Sequence, residues 1–429
     1  MPSIMLTTML VLFALSIPVA VSIGMASIVG IASNEAASML IVGQQMFTSL
    51  DKYPLAAIPF FILAGNLMES GGISARLVEF AKSIVGGVQG GLACTCVLTC
   101  MIFAAVSGSS VATTFAIGAI LIPAMVRHGY PVSFAAALQA TSAELGVIIP
   151  PSIPMILYGI SANVSVAELF IAGIGPGLLI GGALIVFVWL WARFTGHGKR
   201  DREGRMPLLV ATRRAGFALL MPVIILGGIY GGIFTPTEAS VVAVFYALVV
   251  GTLVYREIGV ADLVRVLRKS VISSTVILMI IGCAGLFSFL ITRANVPTML
   301  GEWLVATLET PALFLLGVNV ALFLIGMFVE TSASIVVLAP ILTPIAIHFG
   351  IDPVHFGTIM VVNLALGMIT PPFGVNLFAA CMVARIPLER IIRQLVPFVL
   401  VVLGCLLVIT YVPSLSLLLR DLAYGGAGG

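Results

Sequence analysis

Two hydroxyl-rich clusters interrupt apolar sequence: Ser107-Gly108-Ser109-Ser110 and Thr331-Ser332-Ala333-Ser334, the second preceded by Glu330. Downstream of each stands a proline pair, Pro150-Pro151 and Pro371-Pro372. Unwinding a helix at such a cluster frees backbone carbonyls, and Ser and Thr oxygens add ligands. Hard oxygen donors without a full counter-charge suit Na+ and give a transition metal no foothold. The plainer alternative is small residues placed for close helix packing. Each proline pair removes amide hydrogens and pushes the preceding residue out of the helical region. The carbonyls of residues 146–149 and 367–370 therefore lose partners, which is costly in lipid. Either an ion or a hairpin tip satisfies them, or each pair is a kink filled by a side chain. On the ion reading the candidate ligands are Ser107, Gly108, Ser110, Gly146 and Pro150 in one set. Glu330, Thr331, Ser332, Gly367 and Thr370 form the other, so the expectation is two or more Na+ ions. Asn66 and Ser288 join them, because residues 56–72 and 276–293 read as short apolar stretches broken at Ala64-Gly65-Asn66 and near Ser288.

Few charges lie at apparent membrane depth. Arg293 either snorkels to the interface or faces a cavity, where it would pair an anionic substrate or Glu330. Glu330 either binds Na+, relays a proton or pairs Arg293. Glu144 is the other deep acid, and its counterpart one repeat later is Ala365. Glu238, in TPTEAS, reads as a helix cap. Cys94, Cys96 and Cys100 share one apolar segment with no His or carboxylate nearby, so they read as packing residues. There is no GxxxxGK[ST], HExxH or GxSxG, which argues against ATP hydrolysis and an intramembrane enzyme. Nothing points to nucleic acid.

The elements that hold these residues repeat. Pro123 matches Pro344, Gly129 matches Gly350, Gly146 matches Gly367, and the proline pairs match, all about 221 positions apart. Matched helix breaks inside apolar sequence are the best pointer to a transporter's binding site. The chain divides into an N-terminal scaffold helix and connection (1–54) and a first repeat (55–193). A basic loop with two scaffold helices and an interfacial segment (194–275) precedes a second repeat (276–415) and a tail (416–429). Residues 3–30 read as one retained span, because no basic residue precedes them.

Of the 429 residues, 60% are hydrophobic and 9% are charged, against about 25% charged in a soluble domain. With a mean hydropathy of +1.22 this is an all-α, multi-pass membrane chain with room for roughly 10–12 spans in a bilayer. Residues 194–214 hold Lys199, Arg200, Arg202, Arg205, Arg213 and Arg214, which places that loop in the cytoplasm. Residues 255–269 carry Arg256, Arg265, Arg268 and Lys269 on the same side. Loops of one half that carry bases face partners in the other half that lack them. Arg76, Lys82 and Arg127 have no basic counterparts, and residues 161–168 have none where 385–393 hold Arg385, Arg390 and Arg393. Each loop then lies across the membrane from its mate, an inverted-topology repeat that permits alternating access.

At AAIPFFILAGNLMESGGIS, SGSSVATTFAIGAILIPAM, ELGVIIPPSIPMILYG and LGMITPPFGVNLFAA the chain resembles the large membrane subunit of tripartite ATP-independent periplasmic (TRAP) transporters. The resemblance covers nearly the whole chain. It implies an elevator-type carrier with two re-entrant hairpins and two unwound helices, driven by Na+, in the bacterial inner membrane. It implies a small four-helix membrane subunit, which this chain has no room for before residue 55. It also implies a soluble periplasmic binding protein that delivers an organic acid, such as a sialic acid or a C4-dicarboxylate. By position it places substrate and ion contacts at Ser107, Ser109, Arg293 and Glu330, with Ser152 counted among the substrate contacts. The family usually has Asp where Glu330 stands. The alternative is a stand-alone Na+-coupled carboxylate or divalent-anion symporter, distinguished by whether the chain transports alone.

Overall fold

The computed structural model describes residues 2–33, 38–198, 206–308 and 310–425. Among these there is no strand, and almost every residue is helical. Asn34, Glu35, Lys199, Arg200, Arg202, Arg205 and the last four residues of the tail lie outside the described residues.

The first apolar run is two helices, α1 (Pro2–Ala14) and α2 (Val19–Ala32), where one span was expected. Ser16 takes a left-handed φ of 59° and Pro18 offers no amide to continue the helix, so α2 packs back along α1. Next come α3 (Leu40–Leu50), a 3-10 turn, α4 (Ala57–Ser70) and α5 (Ile73–Val85). Residues 64–66 are helical. The chain bends instead at Gly71-Gly72, by 72°, where Gly72 has a φ of 71°. The half continues with α6 (Gly91–Ser107), α7 (Ser110–Arg127), α8 (Val132–Ala143), α9 (Leu145–Ile148), α10 (Ile153–Ala162) and α11 (Val166–Thr195).

The second half opens with α12 (Leu208–Tyr230) and α13 (Pro236–Val249), which a π turn prolongs to Val254. Thr235 and Glu238 form a reciprocal capping box on α13, the role expected of Glu238. Then comes α14 (Val260–Arg293), which runs unbroken through residues 276–293. The apparent breakers there serve close packing. Gly282 faces Met46 and Leu50, and a Cβ on Gly285 would lie 1.9 Å from Ser49 Oγ on α3. The half closes with α15 (Val296–Thr307), α16 (Pro311–Gly326), α17 (Thr331–His348), α18 (Pro353–Met368), α19 (Val375–Ala384), α20 (Leu388–Tyr411) and α21 (Ser414–Tyr424). Arg213 and Arg214 lie on α12, and Arg265, Arg268 and Lys269 on α14, so both basic loops are shorter than expected. Residues 414–424 are a helix docked on α11. Its buried Arg420 bonds Asp352 Oδ2, 2.7 Å away at the start of α18.

Each element from α5 to α11 has a counterpart from α15 to α20 about 221 residues on, with α18 answering α8 and α9 together. The same spacing relates α2 to α13, and α3 with α4 to α14. Seven helices among the described residues are long and apolar enough to cross a membrane, or nine if each bent pair counts as one span. That is fewer than expected, because several apolar runs divide into half-length helices. The most enclosed helices are the repeat mates α8 and α18: residues 134–143 and 354–368 are all buried. In lipid no hydrophobic gain drives helices together, so this core rests on close packing and hydrogen bonds.

Candidate functional site

The two hydroxyl clusters and the two proline pairs meet in space, each cluster with the pair of its own half. In the first half, Gly108 takes a left-handed φ of 62° and ends α6, and Ser109 is extended. Ser109 Oγ accepts from Ala112 N at 3.4 Å and so caps α7, which folds back along α6. The cluster is therefore a hairpin tip, and the broken helix is the one at the proline pair, where α8–α9 and α10 bend by 42°. Hairpins and broken helices thus stand at positions other than those expected from residues 56–72 and 276–293.

The tip sits on the break. Ile153 N donates to Gly108 O at 3.4 Å. A Cβ on Gly108 would lie 2.8 Å from Pro151 O, and one on Gly146 would lie 2.8 Å from both Ser109 O and Thr113 Oγ1. Only hydrogen fits at either place. Ser107 Oγ is 3.0 Å from Thr113 Oγ1, which donates to Ser109 O at 2.8 Å. Ser152 Oγ donates to Val147 O at 2.5 Å and caps α10 by accepting from Met155 N. Gly65 on α4 lets that helix approach the Ser107 backbone, a Cβ there lying 3.4 Å from Ser107 O. Ser107, Gly108, Ser109, Gly146 and Ser152 are thus brought together, and Ser110 begins α7 beside them, fully buried. Asn66 donates to Ser270 Oγ on α14, 2.9 Å away, and ties α4 to that helix.

In the second half Glu330 is the cap of α17. Its Oε2 accepts from Ala333 N at 3.2 Å and its Oε1 from Ser332 Oγ at 2.8 Å. A carboxylate at a helix N-terminus also meets the positive end of the helix dipole. Glu330 therefore stands where Ser109 stands in the first half, so the cluster Ser107–Ser110 corresponds to residues 328–331. Thr331, Ser332 and Ser334 lie in the first turn of α17. Thr331 Oγ1 donates to Met368 Sδ at 2.9 Å, and Phe373 N to Met327 O at 3.3 Å. A Cβ on Gly367 would lie 2.4 Å from the Gly326 carbonyl carbon, so two backbones touch there. Thr370 Oγ1 turns back to Leu366 O at 2.8 Å. Both proline pairs, Pro150-Pro151 and Pro371-Pro372, are cis.

Two expected participants lie elsewhere. Ser288 is half-buried inside unbroken α14. Arg293 is exposed at the end of that helix and, among the described residues, makes no ion pair with Glu330 or any other acid. Thr113 and Gly326 were missed. Thr113 could have been found as the hydroxyl one helical turn after Ser109, and Gly326 as a glycine closing an apolar run before Glu330.

The donors are neutral hydroxyls and carbonyls in the first set, with one carboxylate added in the second. Both suit an alkali cation, and no cluster of His, Cys, Asp and Glu among the described residues could hold a transition metal. The two sets are joined through the middle of the molecule. α7 packs on α19, and α10 packs on α17. Tyr158 on α10 donates to Pro353 O at 2.8 Å and accepts from Thr343 Oγ1 on α17 at 3.1 Å. A separate cavity of about 660 Å³, lined by Lys52, Tyr53, Ile156, Asn163 and Thr235, lies away from both sets.

The family described as "Tripartite ATP-independent periplasmic transporter, DctM component" matches residues 6–415. The chain is 44% identical, over 88% of each chain, to the C4-dicarboxylate TRAP transporter large permease protein DctM of Pseudomonas aeruginosa. It is 42% identical to the isethionate TRAP transporter permease protein DctMQ of Oleidesulfovibrio alaskensis, over 94% of this chain but 63% of that longer protein. It is 36% identical to the sialic acid TRAP transporter large permease protein SiaM of Vibrio cholerae, over 89% of this chain and 90% of that one. The solved crystal structure of the YdaH transporter of Alcanivorax borkumensis shares the fold. The TM-score is 0.64 at 16% identity, over 90% of this chain and 88% of that one.

Proposed function

Because the chain belongs to the DctM component of the tripartite ATP-independent periplasmic transporters, we propose that it is the large membrane subunit of a Na+-coupled importer of a small organic acid. The relatives' names supply the substrate class: a C4-dicarboxylate, an isethionate and a sialic acid carrier. The observation that carries the Na+ reading is the pairing of the hairpin tip at 107–110, and of its counterpart at 328–331, with the proline break of its own half. Hard oxygens converge there twice, in repeat-related places. The chain's partners in this reading are a small four-helix membrane subunit and a periplasmic binding protein, and it works in the bacterial inner membrane.

In this mechanism the tips and breaks close around Na+ and the acid, and the unit that holds them moves across the bilayer as an elevator. The glycines at 108 and 146 keep the tip seated on the break, and the hydroxyls of Ser107 and Thr113 orient its carbonyls. Substrate contacts at Ser107, Ser109 and Ser152 belong to the same surface, with Glu330 as the charged candidate. Each Na+ moving down a membrane potential of 100 mV supplies about 2.3 kcal/mol. Two ions supply enough for roughly a thousandfold accumulation of a neutral load, and an anionic load returns part of that.

The test is uptake of labelled organic acids into proteoliposomes that hold this chain and its small subunit, with Na+ and the binding protein varied. Uptake that requires both supports the reading. Uptake with Na+ but without the binding protein favours a stand-alone symporter, and uptake indifferent to Na+ removes the ion sites.

A further inference from the structure

At the end of the molecule that the loop charges place in the cytoplasm, a cavity of about 520 Å³ lies between α5, the first turns of α12 and the chain just past the π turn that prolongs α13. Its volume falls within the roughly 300–1,000 Å³ of small-molecule sites. Three arginines, Arg76, Arg213 and Arg214, line it against two glutamates, Glu79 and Glu257.

The local backbone builds this site. The π turn (Val250–Val254) and a left-handed φ of 55° at Arg256 turn the chain back toward α5, and such π turns are frequent at functional sites. Tyr255 and Glu257 thereby reach the start of α5. Arg76 lies 3.8 Å over the Tyr255 ring, with Nη2 2.7 Å from Glu257 Oε1 and Nη1 donating to Gly72 O at 2.8 Å. A Cβ on Gly72 would lie 1.7 Å from Glu257 Oε2, so only glycine admits that carboxylate. Tyr255 Oη donates to Arg214 O at 3.3 Å, and Phe217 meets the Tyr255 ring edge-on at 6.4 Å. Arg76 is thus fully engaged, and the other two arginines are not. Arg214 Nη1 stands 3.8 Å from Glu79 Oε2, with side chains 59% and 42% exposed, a pair that contributes little. Its other contact is Met206 Sδ at 3.7 Å. Arg213 makes no ion pair among the described residues.

Two available guanidinium forks on one rim match the oxygens of a phosphate. The surface deeper in the membrane indicates which kind. Arg213, Phe217 and Leu220 share one face of α12 by their spacing, and Phe217 and Leu220 are 47% and 44% exposed. Val254, on the opposite wall of the cavity, is 42% exposed. An apolar stripe directly below the guanidiniums suits acyl chains and offers nothing to a soluble anion. In the other half α15, the repeat mate of α5, carries no Lys or Arg, so the site belongs to one face of the membrane. Basic pockets between helices on the cytoplasmic face are where anionic headgroups bind. We propose that Arg213 and Arg214 clasp the phosphate of an anionic phospholipid whose acyl chains lie along Phe217 and Leu220. Arg76 and Tyr255 form the back of the site, so the lipid bridges α12 and α5.

Native mass spectrometry of the purified full chain tests this, with phosphatidylglycerol, phosphatidylcholine and inorganic phosphate as probes. The wild type should retain phosphatidylglycerol at about tenfold lower concentration than phosphatidylcholine, and inorganic phosphate should not displace it. Arg213→Gln with Arg214→Gln should abolish the preference. Arg265→Gln with Arg268→Gln, basic positions outside the cavity, should keep it. Displacement by inorganic phosphate would make this a free-phosphate site, and equal loss in both double variants would make it general surface charge; either result overturns the proposal. If the first double variant fails to fold, a phosphatidylglycerol with a photoreactive group in its acyl chain must still label residues 217–220 of the wild type. Labelling only elsewhere is contrary evidence. Labelling that disappears when the small subunit is bound would mean that a protein covers this face, which also overturns it.

Discussion

Single atoms decide the candidate site. A methyl group at residue 146 would meet Ser109 O and Thr113 Oγ1 at 2.8 Å, both parts of a rigid tip. Gly146→Ala is therefore expected to lift the tip from the break and lower Na+-driven uptake at least tenfold, with the half-saturating Na+ concentration rising more than that of the acid. A Na+ titration of uptake checks this. Glu330 separates two roles that its position combines. Glu330→Gln can still cap α17 through its amide oxygen but loses the negative charge. Its thermal midpoint should stay near the wild type while its Na+ affinity falls, and unchanged Na+ affinity would leave Glu330 with capping alone. The residue types of the site were legible, since serines, glycines and proline pairs in apolar sequence announce themselves. The register between the halves was not. Ser109 and Glu330 do the same capping work with unlike side chains, and matching hydroxyl to hydroxyl set the second cluster three residues too late.

At the scale of elements, the last helix shows how charge can dock a segment that composition leaves looking loose. Arg420 on α21 is buried against Asp352, which also accepts from Val354 N and His355 N at the start of α18. Arg420→Ala removes a charge-assisted bond and leaves that cap under-satisfied, for a loss of about 2 kcal/mol. A denaturation midpoint in mild detergent measures it, and truncation after Val412 should cost more, because Leu415 also packs backbone-close to Gly175. Residues 416–429 read as a tail because the Gly-rich end YGGAGG colours the reading of the whole segment. The reverse error occurred in α14. The break expected near Ser288 is absent, and the small residues of that stretch, Gly282 and Gly285, serve close approach to α3. Sequence alone does not separate a break from a close approach.

For the molecule as a whole, the repeat was legible and its asymmetry was not. Elements recur about 221 residues apart, yet mates pack differently. α5 lies along α6, whereas its counterpart α15 lies along α17. Likewise α6 and α7 stay together, while α16 and α17 part after their link. Such differences come from tertiary contacts and leave no trace in periodicity. Under the proposed elevator motion, the two halves exchange these arrangements across the cycle. A spin-label distance between α15 and α16 should then shorten by several ångströms on adding Na+ and substrate, and a fixed distance would count against the motion.

The unbroken course of α14 has one more implication, because a continuous helix can serve as a ruler. Between Lys269 and Arg293 it carries no charge, and at 1.5 Å per residue that stretch measures about 36 Å. A cation stands at each end of a length slightly greater than the roughly 30 Å of a bilayer's hydrocarbon core. The exposed guanidinium of Arg293 then belongs at the opposite headgroup layer from Lys269, and the rod between them gauges the lipid. Uptake in vesicles of graded acyl-chain length should peak where hydrocarbon thickness meets this span and decline on the thinner side.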